Sequence, residues 1–380
     1  MVRHMSETDW QTVLAIARRH ALAPLLFHAL RSMDVPQGAR ETLRQAYYAT
    51  AARNLRLYRR LGELLAAFAA AGHEVLLLKG AYLAEFAYGN PALRPMADLD
   101  LLARPQVVPA LLETLASQGY VAISSAWGAS LRHAVPYRGP DGTLIEIHDR
   151  LFETVAASGE ETDALWARAI AVSLPEFAAR ALCPEDALVH LAMHTAMQHG
   201  FDNGLLPFLD ARQIVERHGA AMDWPALRTR SEAWGAARAV RLVLRLADRY
   251  FGLTLPQETF ALFPPCPEEM AAAERLVVRA YGENTGVTED LARLFGERGL
   301  RARIRLLRQR LVPPSRSGTP PVARTIAMRR SLARAGRLTG KYGRTALAAL
   351  LGKRDVRAAL HAEQERNRLR TWLTTPGEEW

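Results

Sequence analysis

Between Val75 and His148 the apolar spacing leaves the helical period seen on either side and takes the runs and alternations of strands. Val75-Leu76-Leu77-Leu78 is a short apolar run that meets Lys79-Gly80 at once, which reads as a buried strand entering a turn. Ala81 to Tyr88 reads as a short helix, stopped by Gly89-Asn90-Pro91. Asp98-Leu99-Asp100-Leu101-Leu102 reads as the next strand, and Pro105 to Gln118 as a helix with proline in its first turn and Gly119 after its end. Tyr120 to Ile123 and Leu131 to Arg138 are further strand candidates. Pro140-Asp141-Gly142 is a hairpin turn, and the stretch from Thr143 to His148 alternates as the returning strand. The expected fold class is therefore α+β, with a small mixed sheet between two helical regions.

The flanks are helical. Asp9 to about Arg31 places apolar residues at helical spacing, and a long amphipathic helix is expected from about Gln37 to the Ala71-Gly72 stop signal. From about Thr162 the pattern is helical through Arg298, with breaks at Pro207, Pro225 and Phe263-Pro264-Pro265-Cys266-Pro267. Val312 to Pro321 is the clearest linker. The expected organisation is an N-terminal helical segment at 1–72, a core at 73–152, a helical domain at 153–311, and a linker with a basic helical tail at 312–380. No internal repeat is visible.

Composition narrows the setting. With 49% apolar residues in 380, the chain can bury a substantial core. Its cysteines, Cys183 and Cys266, are too far apart in sequence to suggest a disulfide framework or a cysteine zinc site, which fits a reducing compartment. The N-terminal residues lack the apolar stretch of a signal peptide, and no run of 18 apolar residues occurs. A soluble, cytoplasmic protein is expected. The net charge of +10 is local: residues 301–380 hold 19 Lys and Arg against 5 Asp and Glu, which leaves the preceding 300 slightly acidic. Nearly all cations are Arg, and Lys occurs only at positions 79, 341 and 353. Lys79 therefore stands out.

The residues that suggest chemistry lie in the strand island. Asp98 and Asp100 are two apart on a strand, so both side chains share a face. Carboxylates that close repel one another unless a cation sits between them, and hard oxygen ligands suit Mg²⁺ or Mn²⁺, which also recruit substrate phosphates. If the strand of Glu146 runs beside that of Asp100, all three carboxylates converge and can hold ions for an in-line displacement at phosphorus. His148 points to the same face as Glu146, where it can orient that carboxylate, contact a phosphate or make a structural hydrogen bond. Lys79-Gly80 at a strand end, with a helix beginning next, suits a triphosphate, and Arg94 is a second candidate for phosphate charge.

These residues carry a resemblance. The pieces LLLKGAYLAEFAYGNPALRPMADLDLLA and LIEIHDRL, between Val75 and Leu151, resemble the uncharacterised nucleotidyltransferase family of the DNA polymerase beta superfamily. The flanks DWQTVLAIARRHALAPLLFHAL and LVHLAMHTAMQHG…LPFLDARQIV look like helical flanks of the same family, so the resemblance covers roughly residues 9 to 250. It implies a nucleotidyltransferase core and Mg²⁺-dependent transfer of a nucleoside monophosphate from an NTP to an acceptor, with release of pyrophosphate. Asp98, Asp100 and Glu146 would be the catalytic metal ligands, and Lys79, Gly80, Arg94 and His148 would line the nucleotide site. Two departures bear on the details. Lys79-Gly80 stands where the wider superfamily has Gly-Ser, and Glu146 stands where the third carboxylate is commonly Asp.

Further features admit other readings. His190 and His194 are four apart on a helix, the ligand spacing of a helical zinc site, but Leu191 stands where the metalloprotease motif has Glu. His199 falls out of phase, so the three do not converge from one straight helix. Hydrogen-bonded packing against the sheet, with Asp210 as a candidate partner, is the plainer reading; a wall over the nucleotide pocket is the other. The basic tail reads as solvated helix, nucleic-acid contact or anionic-surface contact, and its few aromatics (Tyr342, Trp372 and Trp380) are poor material for base stacking. A non-catalytic nucleotide-binding or interaction module on the same fold, and an RNA-associated protein acting through the tail, are the competing functions. The acceptor, whether protein, small molecule or RNA, is not readable.

Overall fold

In a computed structural model of the chain, the described residues are 5–123, 134–152, 159–174, 177–253, 255, 259, 261–264, 266–279 and 354–375. Two compact units result, one of Met1–Met270 with Leu373–Trp380 and the other of Ala271–Trp372.

The first unit opens with α1 (Glu7–Arg19), α2 (Ala23–Ala29) and α3 (Gln37–Ala70). The single helix expected from Asp9 to Arg31 is in fact two. Pro24 in the first turn of α2 has no N–H to donate, its ring excludes a continuous helix, and Ala21 turns the chain at φ +57°. Trp10 of α1 then packs with Val35 and Ala39 at the start of α3. The long helix α3 ends where expected, with Gly72 at φ +75° just past its last residue. Leu57, Tyr58, Leu61, Leu64 and Phe68 form its buried seam, which packs on the sheet region.

The sheet strands are β1 (Val75–Leu77), β2 (Leu99–Ala103), β3 (Val121–Ala122), β4 (Ala134–Arg138), β5 (Leu144–His148), β6 (Ile170–Leu174) and β7 (Phe177–Ala181). They are ordered β3-β4-β5-β2-β1-β7-β6. β1 and β2 lie centrally, and every residue of both is buried, which explains their unbroken apolar runs. β1 runs antiparallel to β2 and parallel to β7, whereas β2 runs parallel to β5. Ile145 and Ile147 of β5 face one layer, and Glu146 and His148 the other. Between β1 and β2 run α4 (Lys79–Tyr82) and a π turn at Leu83–Ala87, and α5 (Val108–Ser117) precedes β3. Of the expected strand at Leu131 to Arg138, residues 131–133 lie outside the described residues.

The helical reading from Thr162 onward needs correction. After α6 (Gly159–Arg168), β6 and β7 form an antiparallel pair that extends the sheet through β7 alongside β1, so the sheet continues past residue 152. Alanine occupies Ala171, Ala178, Ala179 and Ala181 in these strands, which blurs the alternation, and pairing with β1 overrides alanine's helical preference. The chain continues as α7 (Pro184–Met193), a π turn at His194–Gln198, α8 (Leu206–His218), α9 (Trp224–Ala233) and α10 (Ala237–Phe251). The expected breaks at Pro207 and Pro225 are the first turns of α8 and α9, where a missing N–H costs nothing.

The described residues of the second unit are 271–279 of α11 (Pro267–Arg279) and 354–372 of α12 (Arg354–Thr374), linked by Arg275 Nε to Glu365 Oε1 at 2.7 Å. The expected linker at Val312 to Pro321 and most of the basic tail lie outside the described residues. No helix among the described residues is long and apolar enough to cross a membrane.

Candidate active site

β1 passes into an extended Leu78, whose N–H donates to the Asp100 carbonyl at 3.0 Å and ties the strand end to β2. The next residue, Lys79, has φ +44°, a left-handed conformation that costs an L-residue ~1–2 kcal/mol. This turn carries the Lys79 side chain back over the sheet, where Nζ donates to Asp100 Oδ1 at 2.7 Å. Gly80 follows in a close-packed spot: a Cβ there would stand 2.8 Å from Arg94 Nη1 and 2.9 Å from Met96 Cγ, and both side chains would have to shift. The strained turn is over-determined by its surroundings, as such conformations at functional sites are.

The parallel register of β2 and β5 sets Asp100 opposite Glu146 and Leu102 opposite His148. Asp100 is only 3% exposed. His148 Nε2 lies 2.9 Å from Asp100 Oδ1, the same oxygen that Lys79 holds. Because an ionised carboxylate only accepts, the proton of that pair sits on Nε2. Glu146 is 32% exposed, with Oε2 3.7 Å from His148 Nε2. One ligand atom each from Asp100, Glu146 and His148 lie within 4.8 Å of one another. Asp98, just ahead of β2, joins this group electrostatically.

The charges sort the two aspartates. Burial alone would raise the Asp100 carboxyl, but Lys79 and then His148 outweigh it and hold it well below the usual carboxylate range. Asp98 is pushed up to about 6, first by burial and then by the negative charges of Asp100 and Glu146, which exceed the pull of Lys79. The two carboxyls two residues apart therefore differ in proton affinity because only one has its own cation.

Arg94 is brought elsewhere. Its Nε and Nη2 donate to Asp210 Oδ1 and Oδ2 of α8, each at 2.8 Å, and Tyr88 Oη donates to Asp210 Oδ1 at 2.7 Å. Asn54 of α3 donates to the carbonyls of Pro91 and Arg94 at 2.6 and 2.7 Å and accepts from the Met96 N–H at 3.3 Å. The loop between the Leu83–Ala87 turn and β2 is thus clamped from two helices. Arg94 backs the Lys79-Gly80 turn, and its charge also acts on Asp98. Sequence patterning alone does not place Asn54 or Asp210 beside the site. Asn54 left a signal, a buried amide on the apolar seam of α3, but the partner of Asp210 lies 116 residues away.

Asp210, the candidate partner for His190 and His194, is held by Arg94 and Tyr88. The π turn at His194–Gln198 lets the His199 N–H donate to the His194 carbonyl at 3.1 Å, and the extra residue in the turn rotates His199 under His194. Their Nε2 atoms lie 3.0 Å apart, and His194 Nδ1 meets Gln198 Oε1. The phase reading holds for a straight helix, and the π turn departs from one. Buried His190 packs with Phe152 at a ring separation of 6.2 Å and with His194 at 6.1 Å. Burial, followed by the positive charge of Lys79, holds the His194 imidazole well below its ordinary value and lowers His199 in the same way. Asp100 acts on both rings in the opposite sense, so this turn lies within electrostatic reach of the carboxylates.

No curated protein matches the chain. Residues 6–252, about two thirds of its length, match the family described as uncharacterised nucleotidyltransferase, and the chain belongs to that family.

Proposed function

We propose that the protein is a divalent-metal-dependent nucleotidyltransferase that moves an NMP from an NTP to an acceptor hydroxyl or phosphate and releases pyrophosphate. The supporting observation is the β2–β5 register, in which Asp100 lies opposite Glu146 and shares a 4.8 Å cluster with Glu146 and His148. The donor set fits a divalent cation. Carboxylate oxygens dominate it, and the like-charge burden on Asp98 is what a dication relieves. Hard oxygen donors favour Mg²⁺ or Mn²⁺, with Asp98, Asp100 and Glu146 as the holding residues. The bound ion would supply charge neutralisation at the phosphates and polarisation of the reacting phosphoryl group.

The chain's own side chains account for the remaining steps. Lys79 offers its ammonium to the triphosphate, and Gly80 lets Arg94 and Met96 close against the turn that presents it. Arg94, held by Asp210, fixes that turn instead of contacting phosphate. His148 keeps the Asp100 carboxylate oriented. Glu146, the most open of the clustered groups, accepts the proton of the acceptor hydroxyl as its oxygen bonds to the α-phosphorus. The bond from that phosphorus to the bridging oxygen breaks, and pyrophosphate leaves with the electron pair. Positioning and charge neutralisation are the main contributions in phosphoryl chemistry of this kind. His194 and His199, kept neutral, suit a wall of the pocket. Nothing in this core selects among protein hydroxyls, sugars, small metabolites and RNA ends.

A binding module without turnover is favoured by one observation: Asp100 Oδ1 already receives two donors. Incubating the purified protein with a panel of α-labelled NTPs, Mg²⁺ and host lysate separates the readings. Label on a lysate component, lost in the Asp98→Asn/Asp100→Asn double variant, supports transfer. NTP binding that needs both aspartates but yields no transfer supports the module.

A further inference from the structure

Asp100 is the most deeply buried acid of the cluster, and His148 and Lys79 converge on a single one of its oxygens. His148 Nε2 stands at 2.9 Å and Lys79 Nζ at 2.7 Å. The ammonium therefore occupies the immediate surroundings of the atoms that would receive a divalent ion. Two cations beside one buried carboxylate repel strongly where the dielectric is low. The position of Lys79 is not incidental. Its backbone is held at φ +44°, and the following Gly80 is closed in by Arg94 and Met96. Lys79 is also the only lysine before residue 341 in a chain that otherwise uses arginine. The difference matters, because an ammonium is a single point charge on a flexible four-carbon stem. It can leave a carboxylate by rotating, whereas a guanidinium fork locks in place. The Lys79 side chain is 18% exposed, against 3% for Asp100, so it is the less enclosed member of the pair.

We propose that Lys79 is a built-in counter-cation of the carboxylate cluster, which a triphosphate draws off Asp100, so that the metal ion and the nucleotide bind productively only together. The inference rests on the nucleotidyltransferase reading above and adds a coupling device to it. Without nucleotide, the ammonium satisfies Asp100 and keeps a bare dication out. When triphosphate oxygens take the ammonium, Asp100 is released to the ion that accompanies them. Each ligand removes the obstacle to the other, which is positive linkage through one side chain.

The test compares the full-length wild type with Lys79→Met and Lys79→Arg, using Mn²⁺ alone and tripolyphosphate alone as probes. Mn²⁺ binding is followed by the loss of free-ion paramagnetic resonance, and tripolyphosphate binding by calorimetry in EDTA. Lys79→Met is expected to bind Mn²⁺ more tightly by on the order of tenfold or more, and tripolyphosphate more weakly by a similar factor. Lys79→Arg, which keeps the charge, is expected to bind Mn²⁺ no better than wild type. A lysine with a purely structural role would weaken both ligands when removed, so shifts of opposite sign are the signature. Lys79→Met should also melt early in EDTA and regain its melting temperature with Mn²⁺; folding only when Mn²⁺ is present is the same result in stronger form. Equal or weaker Mn²⁺ binding by Lys79→Met overturns the inference while leaving metal-dependent transfer standing. No Mn²⁺ binding by either protein overturns both.

Discussion

Replacing Asp210 with alanine leaves the Arg94 guanidinium buried with no carboxylate to receive its two 2.8 Å hydrogen bonds, and it also strands the Tyr88 hydroxyl. The side chains are 12% and 2% exposed, so water cannot replace the lost partner cheaply. Removing one member of a buried pair typically costs ~3–5 kcal/mol, chiefly from the charge left behind. For a domain of this size that corresponds to a melting-temperature loss of ~6–20 °C, at about 2–4 °C per kcal/mol. Replacing both partners, as Arg94→Met with Asp210→Ala, should recover most of the loss, because apolar groups need no partner. Urea unfolding of the four proteins in the cycle gives the coupling directly. If Asp210→Ala lowers stability by less than ~1 kcal/mol, a value ordinary for exposed pairs, then Arg94 is not held as described.

Other substitutions test the same geometry. Gly80→Ala should cost ~1–3 kcal/mol and lower NTP binding, since its Cβ must displace Arg94 and Met96 from the turn; equilibrium unfolding and a nucleotide titration check this. Asp100→Asn should reduce label transfer by at least ~10²-fold while the far-ultraviolet spectrum stays that of a folded protein. His194→Ala should lower turnover without unfolding the chain, and an unchanged rate would retire His194 from the pocket wall. Asp141, in the β4–β5 turn, is held below its ordinary pKa despite partial burial, by the Thr143 N–H and hydroxyl and by Arg60. Because its folded pKa is depressed, its contribution is present above the unfolded pKa and lost as pH falls through the folded one. Asp141→Ala should therefore destabilise by about 0.2–1 kcal/mol at pH 7 and by nothing measurable once that carboxyl is protonated.

The sequence made the strands at the site readable because they carry opposite burial patterns. β1 and β2 are buried on both faces and appear as apolar runs, whereas β5 separates Ile145 and Ile147 from Glu146 and His148. From those patterns the convergence of Asp100 and Glu146 needed only the condition that β2 and β5 be neighbours, which they are. What stayed hidden was set by tertiary partners. The alanine-rich β6 and β7 have little alternation of their own and become strands by pairing along β1. The role of Arg94 depends on a helix more than a hundred residues later, so local charge alone suggested phosphate. The π turn at His194 departs from 3.6 residues per turn and brings His199 to His194, a contact that the phase of a straight helix does not foresee.

The central claim concerns which phosphorus is attacked, and label position answers it. Parallel reactions with α-labelled and γ-labelled NTP, Mg²⁺, the wild-type protein and acceptor-containing lysate are compared with the Asp98→Asn/Asp100→Asn variant. Nucleotidyl transfer requires α-label on the acceptor and γ-label in pyrophosphate, both absent from the variant. Finding γ-label on the acceptor, with α-label left in the nucleoside diphosphate, would instead mean attack at the terminal phosphorus and would contradict the account.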